Sequence, residues 1–127
     1  YDFSFSGLKT QVLNYINSER QAERDINIPD LAASFQESIM EVIADKAISA
    51  ATSYGNNKIV VAGGVAANSR LRELLESKGE AAGIEILKPA QILCTDNGAM
   101  IACSAYYQMK KGEFADMSLD ACPGLEF

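Results

Sequence analysis

The residues of this chain that could do chemistry gather in two loops. The first lies in the stretch Lys58–Arg72, KIVVAGGVAANSRLR, where a β-branched run breaks at Gly63-Gly64 and a helix resumes after Asn68-Ser69. A glycine pair lets the backbone take positive φ and lets a ligand approach the main chain. Asn68 or Ser69 can cap the following helix, and a helix start attracts anions through its free N–H groups and its dipole. Such a loop could cradle a phosphate or a ribose, and it could equally be a plain turn. It is not a Walker A loop, because no Gly-Lys-Ser or Gly-Lys-Thr follows, and it is not a GxGxxG fingerprint. The second loop is Cys94-Thr95-Asp96-Asn97-Gly98. Asp96 can cap the last helix through a side-chain oxygen, the commoner role for such a residue, or act as a hard oxygen ligand for a metal or a substrate hydroxyl. Asn68 is divided in the same way between cap and ligand contact. Cys94 has apolar neighbours and reads as a buried thiol.

What the chain lacks narrows the chemistry further. It contains no histidine, which excludes a Ser-His-Asp or Cys-His site, or a histidine metal site, built from these residues alone. Ser4 and Ser6 have no general base nearby in sequence. The three cysteines, Cys94, Cys103 and Cys122, are odd in number and form no CxxC. Reduced thiols in a cytoplasmic protein fit this better than a disulfide framework or a zinc site. Formal net charge is −6, from 11 basic and 17 acidic residues, so the chain alone is a poor binder of nucleic acid. Arg70 and Arg72 sit beside the glycine loop and read as surface residues more readily than as ligand contacts. No apolar run approaches the length of a membrane span, and Tyr1-Asp2-Phe3-Ser4-Phe5 has no basic leader. The start is not a methionine, and the chain is expected to be cut from a longer protein.

The elements that must hold these loops follow from periodicity. With 127 residues and 48% apolar content, the chain is expected to form a single domain, 1–127. Phe3-Ser4-Phe5-Ser6 alternates and predicts a short strand, ended by Gly7. Leu8, Val12 and Ile16 predict a helix over Leu8–Asn17. Pro29-Asp30 opens the longest helix, with Asp30 as candidate N-cap and Gly55 closing it. Gln36, Glu37, Glu41, Asp45 and Lys46 read as its solvated face. The strand Ile59–Ala62, a helix from Asn68 to about Ala82 weakened by Gly79, and a strand Ile84–Leu87 predict a right-handed βαβ unit with parallel strands. A last helix, Ala99–Lys111, ends at Gly112, and the tail with Pro123-Gly124 is expected to be loosely held. In such α/β units ligands bind at the carboxyl ends of parallel strands, where both loops lie.

Three segments then combine. FSFSGLKT (Phe3–Thr10), VVAGGVAANSRLRE (Val60–Glu73) and CTDNGAMIA (Cys94–Ala102) resemble the TsaD/Gcp family of tRNA N6-adenosine threonylcarbamoyltransferases, once described as O-sialoglycoprotein endopeptidases. The resemblance implies an α/β fold: most of the C-terminal lobe of the actin/hexokinase/Hsp70 (RNase H-like) superfold, a short sheet with flanking helices, the N-terminal lobe being absent. It implies that Asp96 matches a metal-ligand aspartate acting with two histidines of an HxxxH helix, on a divalent metal, iron or zinc. It implies that Asn68, Gly63 and Gly64 contact threonylcarbamoyl-AMP or an ATP-like nucleotide. It also implies tRNA and partner subunits as partners, reached through the whole protein, with no membrane. One departure is mild: Gly98 stands where many members carry alanine. The fragment alone would be inactive.

Two other readings compete. The same superfold hosts sugar kinases and other carbamoyltransferases, which a catalytic aspartate and phosphate loop upstream, in place of HxxxH, would distinguish. An acidic, ligand-poor domain could instead serve only assembly, self-associating through the exposed edge of the Phe3–Ser6 strand.

Overall fold

The structure, a computed structural model, describes residues 1–120 and Gly124. Cys122 and Pro123 of the expected tail lie outside the described residues. Two compact units divide the chain, Tyr1–Thr95 and Asp96–Phe127, and each is described by itself.

The first unit begins with α1 (Ser6–Gln21), which buries none of its residues. No strand forms at Phe3–Ser6. Four alternating residues are too few to specify a strand, and a strand needs a partner to satisfy its backbone. The segment instead lies along a later helix: Tyr1 Oη donates to Ser53 Oγ at 2.8 Å, and Lys46 Nζ sits 4.9 Å from the centre of the Phe3 ring. The strand edge expected to drive self-association is therefore not there.

The long helix α2 (Ile28–Ser53) starts earlier than expected. Asn27, not Asp30, is the N-cap; its Oδ1 accepts from Asp30 N at 3.3 Å, while its Nδ2 donates to Asp30 Oδ2 at 2.6 Å. Proline's fixed φ suits a first helical turn, so Pro29 falls inside the helix and the cap moves ahead of it. Gly55 follows the end with φ +68°, the left-handed turn that lets the chain reverse into the sheet.

Strand β1 (Lys58–Val60) pairs in parallel with β2 (Glu85–Leu87), in the register Lys58–Glu85, Ile59–Ile86 and Val60–Leu87. Between them run a 3-10 turn, Gly64–Ala67, and α3 (Ser69–Ala82). The parallel pairing of the two strands around a helix is as the sequence predicts, though the first strand begins one residue earlier and ends at Val60 rather than Ala62, and the second begins at Glu85 rather than Ile84. Leu71, Leu74 and Leu75 of α3 bury against Met40 and Ala44 of α2, with Ile43, Val61 and Ile86 at the margin of this core. Ala44 is fully buried; its small side chain lets the two helices close on each other. The opposite face of the sheet is open, where Val60 is 73% exposed and Lys58 pairs with Glu85 at 2.8 Å.

Gly79 has a different meaning from the one its composition suggests. A Cβ there would lie 2.8 Å from the Ile84 carbonyl oxygen and 2.8 Å from Ile86 Cγ1. The glycine is what lets α3 approach β2. Helix propensity favours alanine over glycine by about 1 kcal/mol, and here the clash with backbone outweighs it. Gly79→Ala is expected to destabilise the chain by about 1–3 kcal/mol in urea unfolding, on the scale of overpacking; a stabilised variant would show that α3 can shift away without loss.

Candidate functional site

The glycine loop sits where β1 runs out. Gly63 has φ +86° and ψ 173°, a conformation that a side chain strongly disfavours. Added Cβ atoms on Gly63 or Gly64 would meet nothing within 4 Å, so the loop's outer side is open to an approaching group. The first bond of the turn runs from Ala66 N to Gly63 O at 3.0 Å. The amides of Gly64 and Val65 therefore precede the turn's internal bonding and head it, as the leading amides of any helix do.

Asn68 ends that turn and caps α3. Its Oδ1 accepts from Leu71 N at 3.0 Å, and its Nδ2 donates to Gln36 Oε1 at 3.0 Å. The capping role is therefore realised. A primary amide carries two N–H donors, so one remains beyond the Gln36 bond. Gln36 lies on an exposed face, as expected, and also holds the cap from α2.

Two neighbouring pairs extend this tie. Arg70 donates from Nε and Nη2 to the two carboxylate oxygens of Glu37 at 2.7 and 2.6 Å, and from Nη1 to Glu73 at 3.2 Å. Lys78 pairs with Asp45. The hydrogen bonds from Arg70 hold the Glu37 carboxyl below its ordinary value of 4.5, and the Arg70 guanidinium is correspondingly raised. The charged positions expected on the outer side of α2 thus include a ladder to α3.

A second loop closes on the first. After β2 the chain turns at Gln91–Leu93, and Gln91 Nε2 donates to Ala67 O at 2.6 Å. Arg72 donates from Nε to Ala66 O, and from Nη2 to Pro89 O at 2.8 Å and to Cys94 Sγ at 3.0 Å. Cys94 is buried, as its apolar neighbours predict. Sequence reasoning missed Arg72 and Gln91. The available signal was spacing: Arg72 lies four residues after Asn68, and a helical side chain leans back over the preceding turn.

Asp96 opens the second unit and is exposed. It does not cap the helix that follows, α4 (Gly98–Lys111). Asn97 does, with extended φ −153° and its Oδ1 3.1 Å from Met100 N. Asp96 is one residue too early to reach that amide, so the capping explanation of this carboxylate is removed. The structure gathers Gly63, Gly64 and Asn68 on one loop of the first unit, while Asp96 belongs to the second.

The donors do not make a metal site by themselves. Among the described residues no three of His, Cys, Asp or Glu lie together as a metal-holding group, and the chain has no histidine. Nor does any buried side-chain nitrogen or oxygen among them lack a partner. No helix among the described residues is long and apolar enough to cross a membrane.

A family model described as "TsaD: tRNA N6-adenosine threonylcarbamoyltransferase" matches residues 1–103. The chain is similar to a protein of that name from Moorella thermoacetica, 53% identical over 124 residues, covering 98% of this chain and 36% of the relative. It is also similar to those of Clostridioides difficile, 49% identical over 126 residues, and Clostridium perfringens, 50% identical over 124 residues. These cover 99% and 98% of this chain, and 37% of each relative. The chain thus spans little more than a third of the length of these curated relatives.

Two stability measurements test the ladder between α2 and α3. Asn68→Ala is expected to cost about 1 kcal/mol, as loss of a helix cap does, and Asn68→Asp, which keeps the capping oxygen, is expected to restore most of it. For Glu37, the lowered carboxyl means that its contribution is present above 4.5 and lost as pH falls through the folded value. The difference in melting temperature between the unaltered chain and Glu37→Gln should be largest at neutral pH and shrink as the pH drops below 4.5. A gap that stays constant with pH would show that the pair adds nothing.

Proposed function

This chain belongs to the TsaD family, and on that premise we propose that it is part of a transferase that moves threonylcarbamoyl from threonylcarbamoyl-AMP to N6 of the tRNA adenosine next to the anticodon. The observation that carries the proposal is a single continuous match over residues 1–103. It contains all three motif segments, from Phe3-Ser4-Phe5 through the glycine loop to Cys94–Ala102.

The chemistry is acyl transfer. The N6 amine forms a bond to the carbamoyl carbon, the bond from that carbon to the phosphate oxygen breaks, N6 gives up a proton, and AMP leaves. This chain's share is to hold the nucleotide. Gly63 turns the backbone outward, Gly64 leaves the approach open, and the leading amides of the turn face a phosphate or ribose without any side chain between. The remaining N–H of Asn68 can donate to the same group. Fixing the leaving nucleotide this way lowers the entropy cost of bringing amine and acyl group together.

Asp96 contributes one oxygen donor toward a divalent metal, iron or zinc, whose other ligands lie outside these 127 residues. One carboxylate cannot hold an ion tightly, so the chain in isolation is expected to be inactive. The parallel βαβ unit with its helices supports reading the chain as part of the C-terminal lobe of the actin/hexokinase/Hsp70 superfold. The net charge of −6 supports a reading in which most contacts to tRNA come from other parts of the whole protein or from partner subunits, and the reaction is assigned to the cytoplasm as part of the same proposal.

Asp96→Ala in the whole protein provides the test. Because Asn97 rather than Asp96 caps α4, the variant is expected to keep its melting temperature while losing threonylcarbamoyl transfer by at least about a hundredfold, on the scale of a lost ligand or positioning group. Full turnover by the variant would remove Asp96 from the site.

A further inference from the structure

We infer that Arg72 is a positioning residue for the nucleotide, locking the glycine loop to the loop that follows β2; the inference rests on the proposed nucleotide role of the Gly63–Asn68 loop. Arg72 and Arg70 stand two positions apart on α3, and the structure gives them different work. Among the described residues, Arg70 points across to α2 and bonds only carboxylates, those of Glu37 and Glu73. Among the same residues Arg72 bonds no carboxylate, and its hydrogen bonds go to acceptors of the two loops: the carbonyls of Ala66 and Pro89 and the sulfur of Cys94.

That choice of partners matters. A guanidinium is a rigid planar fork with several donors at fixed angles. One fork that reaches Ala66 O in the first loop and Pro89 O in the second sets the distance between them. Gln91 adds a second tie from the later loop, through its Nε2 bond to Ala67 O at 2.6 Å. Residues 66 and 67 follow directly on the Gly63-Gly64 turn, so their carbonyls are the points from which that turn can be held. The glycines themselves give the turn little stiffness; β1 and α3 hold its two ends, and Gln91 holds Ala67. Without Arg72, the tie from Ala66 to Pro89 would be lost and the turn could shift more freely between its two anchored ends. The ordering would then have to be done when the nucleotide binds, at a cost in affinity.

The test compares arginines two residues apart in the whole protein, with AMP as the probe in titration calorimetry and melting temperature recorded alongside. Arg72→Met is expected to weaken AMP binding about tenfold, the scale of one lost positioning interaction. Arg72→Lys keeps the charge and the fold but not the fork, and is expected to lose affinity as well. Arg70→Met, which breaks the ion pair to α2, is expected to lower the melting temperature while leaving AMP affinity within about twofold. If both Arg72 variants bind AMP as the unaltered protein does, the positioning role is wrong. The same conclusion follows if Arg70→Met loses affinity in proportion to its loss of stability, since any weakening of α3 would then suffice. Absence of AMP binding by the unaltered protein would instead overturn the nucleotide role of the loop itself.

Discussion

Helix α3 is held against α2 by Leu71, Leu74 and Leu75 closing on Met40 and Ala44, and the rest of the first unit depends on that contact. Each fully buried leucine contributes roughly 1.5–3 kcal/mol, far more than any exposed ion pair nearby. The contact works because both small positions are small for a reason. Ala44 lets the helices meet, and Gly79 lets the far end of α3 rest on Ile84 and Ile86 of the sheet. With α3 pinned on two sides, its first residue fixes where the glycine loop must end. The loop is then a short span between a fixed strand and a fixed helix start.

Polar groups refine what the apolar contact sets. Gln36 holds the capping amide of Asn68, Glu37 holds Arg70, and Asp45 holds Lys78, so three points along α2 read three points along α3. These groups are partly exposed, and their value lies in alignment more than in stability. Arg72 and Gln91 act in the other direction, tying the loops after β1 and β2 to each other. A site made mainly of backbone needs such support, because main-chain donors point usefully only when the chain that carries them is held.

The sequence was most legible where periodicity is long. The α2 and α3 patterns, the parallel strands and the glycines at Gly55, Gly83 and Gly112 are all where period and turn chemistry put them. It was least legible at element starts, where one residue decides a cap. Asn27 and Asn97 take the roles expected of Asp30 and Asp96, since capping depends on which residue is extended just before the first turn, and neighbouring Asx residues differ little in type. The Phe3–Ser6 strand failed because alternation over four residues carries no information about a pairing partner. Beyond its spacing from Asn68, Arg72 was hard to read for a related reason. Its partners are carbonyls and a thiol up to 22 residues away, and such acceptors leave no mark on composition. For the candidate site, Gly63, Gly64 and Asn68 could be read as one loop from sequence, while the functional weight of Asp96 rests on resemblance to a family, and the structure removes only its capping alternative.

The most direct test of the account is backbone hydrogen exchange of the whole protein with and without saturating AMP, read peptide by peptide. Nucleotide is expected to slow exchange across residues 63–71, at the glycine loop and the start of α3, with little change along α1 or the middle of α2. Protection that appears elsewhere and leaves residues 63–71 unchanged would contradict it, and would return the glycine pair to the role of an ordinary turn.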